Sequence, residues 1–564
     1  MIRKLKSIYH IIPKKFQKKS LRYSLFSVLN VFFDLLSIAY IIPLFVFILD
    51  KDQMPTFIQK ISFFNEEYLI HWVVGILLLF VVKNYFQIAI IKFQSKLVFD
   101  IATALSSGLT KQFLRSPLSS IQHLNKGKEI QKIQMAGTHF SNHILLSINS
   151  ILTELLIIGF IAIVSFILYP KFSILIFLIA LICLYSLYRM RKKKIQKIST
   201  SIRKSYSKAT SHLLNIIDGF LEIKSLGKES FFQEKYEETL AEFNDNFAIL
   251  KKHQNSNSKY LEVFVILALC LFLYSVHISI DAPSERVLLI SYIAGISLKL
   301  FPSINKLILA YTNFRSYQYT LDVLTAFEPN SESKNPHSQF VHSVSLKKVS
   351  YSYGEDKDLL ENINLSLNRG EIVGIKGRSG IGKTTLLYLV MGFLSPKRGS
   401  LFVDEQIINS SNILFPFIGY VPQQPFLFQG SFLDNIVMGT SANDIDFERI
   451  KTLIHAFDMD SYIENLKDGL DTKISHNSLS VSGGQKQRLA LIRALYRNPD
   501  LLILDEVTNQ LDEELEIKVL NYLKDYAKEM NIAILLVSHS NSISEICERT
   551  YQITNHTLQA ISFE

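Results

Sequence analysis

One eight-residue segment of the sequence has the residue types and the spacing that bind a polyphosphate. A predicted strand over 372–375 leads into it, and a predicted helix over 384–391 follows. Glycines let backbone N–H groups converge on one anion, and the helix N-terminus adds positive potential. The lysine would reach the β and γ phosphates, and the next hydroxyl would ligate Mg²⁺. An ordinary glycine-rich turn, the alternative, rarely matches so many specified positions. The segment reads Gly377, Arg378, Ser379, Gly380, Ile381, Gly382, Lys383 and Thr384, with Thr385 next in the helix.

A second segment ends an apolar strand with two acids. Residues 501–504 are Leu, Leu, Ile and Leu, and Asp505 and Glu506 follow them. Asp505 can hold Mg²⁺ through water, and Glu506 can polarise an attacking water. Acids also end strands because they favour solvent, so this segment alone leaves both interpretations open. Together with the phosphate loop it predicts a nucleoside-triphosphate site.

A third segment lies between these two and precedes a predicted helix. It reads Val481, Ser482, Gly483, Gly484, Gln485, Lys486, Gln487 and Arg488. It resembles the LSGGQ signature of ATP-binding cassette transporters, with valine in place of leucine, and its serine and backbone amides could meet a γ-phosphate. The resemblance implies ATP and Mg²⁺ as cofactors and a γ-phosphate held by the opposite subunit's loop. One copy of each motif per chain implies a dimer, and the intact set favours a second copy of this chain.

Further residues match this family one by one. Tyr353 resembles the aromatic residue that stacks on adenine, and Gln423 the glutamine that touches Mg²⁺ and faces the membrane helices. His539 resembles the switch histidine at the γ-phosphate, and Asp512 takes the place of the D-loop aspartate. A core aromatic and a structural histidine are the alternatives for Tyr353 and His539. Segment 475–480 departs from the family because it lacks the Gly-Glu pair of many exporters. The resemblance implies that the catalytic residues are Glu506, His539, Lys383 and Gln423. It implies that the metal ligands are Thr384, Gln423 and Asp505.

The composition combines an apolar part with an ordinary soluble part. The 564 residues are 48% hydrophobic and 20% charged, which excludes a disordered chain, and the length argues against a single compact domain. The net charge of +10 lies largely in basic stretches beside apolar runs, so it needs no nucleic-acid partner. Three separated cysteines favour neither a disulfide framework nor a zinc site. Windows long enough to cross the bilayer predict six spans, at 24–49, 69–92, 143–169, 171–190, 260–280 and 286–310.

These patterns predict a multidomain chain. An all-α six-helix transmembrane domain with long cytoplasmic extensions precedes an α/β P-loop nucleotide-binding domain, in which strand-like runs alternate with helical patterns. Six spans and the basic connections place both ends of the chain, and the nucleotide-binding domain, in the cytoplasm, with the spans in the cytoplasmic membrane. The predicted boundaries are 1–22 for a basic interfacial elbow helix, 23–325 for the membrane domain, 326–343 for a linker and 344–564 for the nucleotide-binding domain.

Six spans before one cassette resemble a half-transporter of the type I exporters (type IV fold). The resemblance makes the breaks at 115–127 and 218–229 coupling helices, one docking on its own cassette and one on the partner's. Plain turns between helices are the alternative. In this family ATP closes the cassette dimer, the long helices shift the cavity from inward to outward opening, and hydrolysis resets it.

Charged residues inside the spans offer a clue to the cargo. Lys83, Lys299 and Lys306 could line a basic cavity for an anionic headgroup, although pairing with Asp34, Glu154 or Glu262 is equally compatible with the sequence. Segments 34–43 and 298–306 resemble lipid-linked oligosaccharide flippases, and 55–64 has the spacing of the short external helix of that subfamily. The cargo this implies is a polyprenyl-pyrophosphate glycan. A peptide or drug exporter would share every cassette residue, whereas a cassette ATPase without transport would need no spans.

Overall fold

The computed structural model describes residues 2–49, 69–121, 124–279, 283–325, 342–354, 357–408, 418–474, 481–508, 511–538 and 545–561. The chain divides into two compact units. The first unit comprises Met1–Leu114 and Leu124–Asn330, and the second comprises Arg115–His123 and Ser331–Glu564. The external helix predicted at 55–64 and most of the linker predicted at 326–343 lie outside the described residues.

Helices build the first unit. Pro13, which has no N–H to donate, separates the first two of them. Two helices, of 49 and 51 residues, are more than twice as long as the roughly 20 residues that cross a bilayer. The helices up to residue 325 are α1 (Ile2–Ile11), α2 (Lys14–Leu49), α3 (Leu69–Leu114), α4 (Leu118–Ile121, in the second unit), α5 (Lys126–His139), α6 (Leu146–Leu168), α7 (Pro170–Asp218), α8 (Phe220–Ser225), α9 (Glu229–Ser279), α10 (Pro283–Ser316) and α11 (Tyr319–Thr325), with a π-helical segment Phe140–Leu145 between α5 and α6.

The predicted spans fall largely on these long helices. Within the described ranges, three helices are long and apolar enough to cross a membrane, judged by length and composition: Ile70–Leu114, Lys126–Ile167 and Glu229–Ile278. Their outward side chains, such as Leu77, Ile88 and Ile266, are exposed on the unit. A lipid-facing surface has this apolar character. The total of six spans stays a prediction.

The N-terminal basic segment differs in one respect from an interfacial helix lying on lipid. Ile8, Ile12 and Phe16 are buried in a cluster that also contains Ile101 of α3 and Phe140 of the π-helical segment. Protein therefore covers this apolar stripe. The basic side chains Lys14, Lys15, Lys18 and Lys19 remain exposed.

The second unit is built around two sheets. The larger has the strand order β12-β11-β3-β10-β9-β6 and is parallel except at β12, and the smaller is antiparallel with the order β2-β1-β4-β5. This confirms the predicted fold class of a helical transmembrane domain followed by an α/β nucleotide-binding domain. The strands are β1 (Ser343–Tyr351), β2 (Leu360–Asn368), β3 (Ile372–Lys376), β4 (Arg398–Val403), β5 (Gln406–Ile408), β6 (Ile418–Val421), β7 (Gly430–Ser431), β8 (Lys473–Ile474), β9 (Leu501–Asp505), β10 (Ala533–Val537), β11 (Arg549–Thr554) and β12 (Thr557–Ile561), and the helices are α12 (Lys383–Val390), α13 (Phe432–Val437), α14 (Phe447–Ala456), α15 (Asp460–Glu464), α16 (Gly483–Tyr496) and α17 (Glu513–Glu529).

The central parallel strands of the larger sheet place the predicted phosphate loop and the two acids at the same edge. All residues of β9 and β10 are buried, which explains their continuous apolar runs. In register, Val537 of β10 lies beside Ile375 of β3 on one side and Asp505 of β9 on the other. Because parallel strands end at the same edge, the loop after β3 and the acids after β9 lie close together.

Most of the predicted break at 115–127 lies in the second unit, whereas the break at 218–229 lies in the first. After α3, the short helix α4 belongs to the second unit, and its Leu118 packs against a buried cluster there with Tyr388 and Phe393. After α7, Gly219 precedes α8, which belongs to the first unit. Phe220 and Leu221 of α8 and the following Leu226 are exposed there.

Candidate functional site

The phosphate loop connects β3 to α12. Gly382, immediately before α12, has φ of 106°, and a Cβ built there would lie 3.2 Å from Cγ of Leu359. Glycine suits both constraints, since other residues rarely adopt this conformation. Arg378, Ser379 and Gly380 are exposed at the turn, Ile381 packs on the core, and Thr385 is buried behind the loop.

Lys383 lies folded across the loop that precedes it. Its Nζ donates to the carbonyl oxygen of Gly377 at 2.9 Å and lies 3.2 Å from Oε1 of Glu506. The side chain is nearly buried. The lysine predicted to bind phosphate and the predicted catalytic carboxylate are therefore ion-pair partners.

A second set of contacts joins α12 to the strand ends. Oγ1 of Thr384 donates to Oδ2 of Asp505 at 3.0 Å, and Nε2 of Gln423 donates to Oε2 of Glu506 at 2.6 Å. Five predicted residues from three parts of the chain thus meet at one edge of the sheet. The hydroxyl, the carboxylate and the side-chain carbonyl of Gln423 are hard oxygen donors of the kind that Mg²⁺ prefers, so the donor set fits the ion.

Asp505 has a raised pKa, and Glu506 has an unusual backbone conformation. Burial raises the pKa of Asp505, and the nearby charge of Glu506 raises it further, although the hydrogen bond from Thr384 opposes the shift. Glu506 has a φ of 51°, unusual for a residue with a side chain, and its N–H donates to the carbonyl oxygen of Val537 at 2.9 Å. Strained backbone of this kind is concentrated at functional sites.

Two tyrosines of this region have contacts that the sequence reasoning missed. The hydroxyl of Tyr353, which follows β1 of the smaller sheet, lies 3.1 Å from Oγ1 of Thr385 and so connects this segment to α12. Tyr420 on β6 has its pKa raised by burial, by Tyr388 and by Asp505. Its place on the strand that leads to Gln423 is the sequence signal that could have identified it. The stacking of adenine on Tyr353 stays a prediction.

The signature segment begins α16. Ser482 is the N-cap residue: Oγ of Ser482 accepts from the N–H of Gln485 at 3.3 Å, and the Gln485 side chain accepts from the N–H of Ser482 at 2.9 Å. The predicted nucleotide contact Gln485 is therefore engaged in a capping box. Ser482 and Gly483 are exposed and Gly484 is half-buried, which leaves this helix N-terminus accessible to an anion.

The other predicted residues have less structural support. Asp512 is the N-cap of α17, where it accepts from the N–H of Leu515 at 2.9 Å, a capping role that the sequence reasoning did not include. His539 and segment 475–480 lie outside the described residues. Their roles stay predictions.

The predicted cargo lysines are all paired in the structure. Nζ of Lys83 and Nζ of Lys299 lie 2.5 Å and 3.3 Å from the two carboxylate oxygens of Asp34. Lys306 pairs with a different acid: its Nζ lies 3.4 Å from Oε1 of Glu154. The sequence left open whether these cations pair internally, and the structure shows that they do.

Two comparisons address the family. Residues 22–297 match the family described as the ABC transporter transmembrane region, and residues 360–509 match the family described as ABC transporter. The structure of a bacterial Atm1-family ABC exporter with ATP bound superposes with a TM-score of 0.81, covering 95% of this chain and 94% of that chain at 18% identity. This shows that the fold is shared.

Two relatives differ in what their names say they carry. An ATP-dependent lipid A-core flippase from Alkalilimnicola ehrlichii is 28% identical over 367 residues, 63% of this chain and 61% of that protein. A lactococcin-A transport/processing ATP-binding protein from Lactococcus lactis is 36% identical over 221 residues, 39% of this chain and 30% of that protein. The alignments span less than two thirds of each relative. With both halves of the chain matched by their own family and the exporter fold present throughout, this integral membrane protein belongs to the ATP-binding cassette transporters.

Proposed function

We propose that the protein is a dimeric ATPase that uses ATP and Mg²⁺ to export or flip a cargo across the cytoplasmic membrane. One observation carries the proposal: Lys383, Thr384, Gln423, Asp505 and Glu506 converge at the edge of the parallel sheet. A cation to bind phosphate, oxygen ligands for a metal and a carboxylate for water are the parts that phosphoryl transfer requires.

The contacts suggest an order of events at the site. Lys383 and the loop amides bind the β and γ phosphates, and the γ-phosphate competes with Glu506 for the lysine. Glu506, still held by Gln423, is then available to orient and polarise the attacking water. Bound Mg²⁺, held by Thr384, Asp505 and Gln423, would neutralise charge on the phosphates. His539 is proposed to contact the γ-phosphate.

A second copy of this chain would complete the site. The exposed N-terminus of α16 can approach a γ-phosphate that is bound in the partner's loop, through Ser482 and the amides of Gly483 and Gly484. Since this chain has intact residues for both halves of such an interface, we propose a head-to-tail homodimer.

The short helices would connect hydrolysis to transport. Leu118 of α4 packs on the cassette of its own chain. Phe220, Leu221 and Leu226 form an exposed apolar group at the turn that contains α8, suited to dock on the partner's cassette. The basic residues in the connections that carry these helices favour the cytoplasmic side for both turns and for the cassette.

The leading cargo is a lipid-linked oligosaccharide, a polyprenyl-pyrophosphate glycan. Its support is the group of intramembrane lysines, the resemblance of segments 34–43 and 298–306 to that flippase subfamily, and a relative named as a flippase of lipid A-core. Peptide export is the second candidate, because another relative is named for lactococcin-A transport and processing.

ATP hydrolysis by the purified protein in liposomes tests this function. The assay compares liposomes with and without a polyprenyl-pyrophosphate glycan, and Glu506→Gln provides the background rate. Stimulation by the glycolipid would support flipping. Stimulation by peptides with indifference to the glycolipid would retain ATP-driven export and replace the cargo, and a rate equal to the Glu506→Gln background would refute the proposed activity.

A further inference from the structure

A single carboxylate in the membrane unit holds two lysines. Oδ1 of Asp34 lies 2.5 Å from Nζ of Lys83, and Oδ2 lies 3.3 Å from Nζ of Lys299. The three side chains come from α2, α3 and α10, each within a predicted span. Both oxygens of one acid are therefore engaged by cations from two other helices.

In this cluster two cations share one carboxylate. Another acid of a described helix, Glu154 of α6, is paired with Lys306, which lies seven residues after Lys299 on α10. A cation in a medium of low dielectric constant is costly without an anion beside it, so an anion that reaches Lys299 competes with Asp34 for that contact.

The two lysines are held unequally. Lys83 has the shorter contact and is 11% exposed, whereas Lys299 has the longer contact and is 28% exposed. Lys299 is thus the member of the cluster that an incoming anion reaches more easily. If Lys299 were released from Asp34, the contact between Asp34 and Lys83 would remain.

We propose that Asp34 is an internal counter-ion that takes the place of the cargo's diphosphate in the cargo-free protein. The diphosphate binds by displacing the Asp34 carboxylate from Lys299, while Lys83 retains that carboxylate. Asp34 thereby sets the affinity for the anionic group and aids its release, because it returns to Lys299 when the cargo leaves. This inference rests on the proposed transport of a lipid diphosphate and assigns to Asp34 a role in its specificity.

Direct binding tests the inference without requiring ATP hydrolysis. Isothermal titration calorimetry of the full-length protein in detergent would use a short-chain polyprenyl diphosphate that carries no glycan, with the matching polyprenol as the uncharged probe. In Asp34→Asn the competing charge is lost, so the dissociation constant for the diphosphate should fall about five- to tenfold, the lower range of site-to-site coupling. Polyprenol binding should not change.

Matched variants separate the local effect from general electrostatics. Glu154→Gln also removes an acid paired with a lysine of α10, but Lys306 is already 62% exposed, so diphosphate affinity should change much less. Asp34→Glu restores the charge and should return the affinity toward that of the unmodified protein. Lys299→Gln should weaken diphosphate binding, and thermal unfolding of each variant checks that the helices remain packed.

The outcomes distinguish this inference from the proposed function. Unchanged or weaker diphosphate binding in folded Asp34→Asn, or equal gains in Asp34→Asn and Glu154→Gln, would overturn the inference. ATP hydrolysis that depends on Glu506, with no diphosphate binding to either protein, would also overturn it and leave ATP-driven export standing. Absence of hydrolysis would refute the proposed function, while the order of diphosphate affinities would still decide the role of Asp34.

Discussion

Lys383 and Glu506 are ion-pair partners at the mouth of the phosphate loop, with Nζ 3.2 Å from Oε1. The ammonium group that is suited to bind phosphate thus engages the carboxylate that is suited to activate water. The second oxygen of Glu506 accepts from Gln423, which lies after β6. A phosphate bound by Lys383 would therefore compete with Glu506 for this contact.

Glu506→Gln should lower steady-state ATP hydrolysis by about a hundredfold or more, because a general base typically contributes at least that factor. Nucleotide binding should persist, and the protein should accumulate as an ATP-bound dimer. Phosphate release and size-exclusion chromatography with ATP measure the two effects. The control is Glu513→Gln, an exposed acid at the start of α17. Normal hydrolysis in Glu506→Gln would remove its assignment as the base.

Lys383→Ala should mainly weaken nucleotide binding, since the variant loses the cation that pairs with Glu506 and that we propose to bind the phosphates. A fluorescent ATP analogue titrated into the full-length protein measures the dissociation constant. Binding equal to that of the unmodified protein, with slow hydrolysis, would instead assign Lys383 to the chemical step alone.

Gly382→Ala should destabilise the phosphate loop by about 1–3 kcal/mol, because its φ of 106° and its neighbour Leu359 both oppose a Cβ. Nucleotide affinity should fall as well. Gly439→Ala is the matched control: Gly439 has a φ of 85°, but its Cβ would meet nothing within 4 Å. Thermal unfolding with and without ATP compares the two. Equal losses of stability in both variants would show that backbone conformation, and not packing against Leu359, causes the effect.

Asp505→Asn should stabilise the nucleotide-free protein at neutral pH. Because burial raises the pKa of Asp505 in the folded state, folding binds extra protons between the ordinary and the raised value. Stability is therefore lost as pH rises through that window, and the loss is complete above the raised pKa. Asparagine avoids this loss. Thermal unfolding at pH 7 should show the variant to be more stable, with a difference that shrinks as pH falls.

The same variant should lose its response to Mg²⁺ and ATP. Added Mg²⁺–ATP stabilises a protein that binds it in the folded state. A bound ion would also offset the free-energy cost of burying the charged Asp505 carboxylate. We expect Mg²⁺–ATP to raise the unfolding temperature of the unmodified protein more than that of Asp505→Asn. An equal rise in both would contradict the assignment of Asp505 as a metal ligand.

Leu221→Ser should uncouple transport from hydrolysis with little effect on stability. Leu221 of α8 is 77% exposed, so its replacement should change the free energy of unfolding by about 0.5 kcal/mol or less. If it docks on the partner's cassette, cargo-stimulated hydrolysis should fall while basal hydrolysis remains. Ile517→Ser, at an exposed apolar residue of α17, is the control. Loss of stimulation in both variants would refute a specific docking role.

The phosphate loop, the acidic strand end and the signature were predictable because each is a short segment whose residues act where they stand along the chain. Their strands and helices could likewise be placed, since apolar runs and glycine positions are local features. The fold class followed from the change between long apolar helices and alternating strands and helices. The predicted helix over 384–391 accordingly differs from α12 by only one residue at each end.

Tertiary structure decided which of these residues are partners. Gln423 and Glu506 are 83 residues apart, and no local pattern predicts that their side chains pair. Asp34, Lys83 and Lys299 lie on three helices, so packing alone determined that the lysines pair with an acid. The sequence by itself determined the chemistry of each motif, because residue type and local spacing suffice for that. Ion pairing and docking depend on distances between remote segments, which only the packed helices and sheets establish.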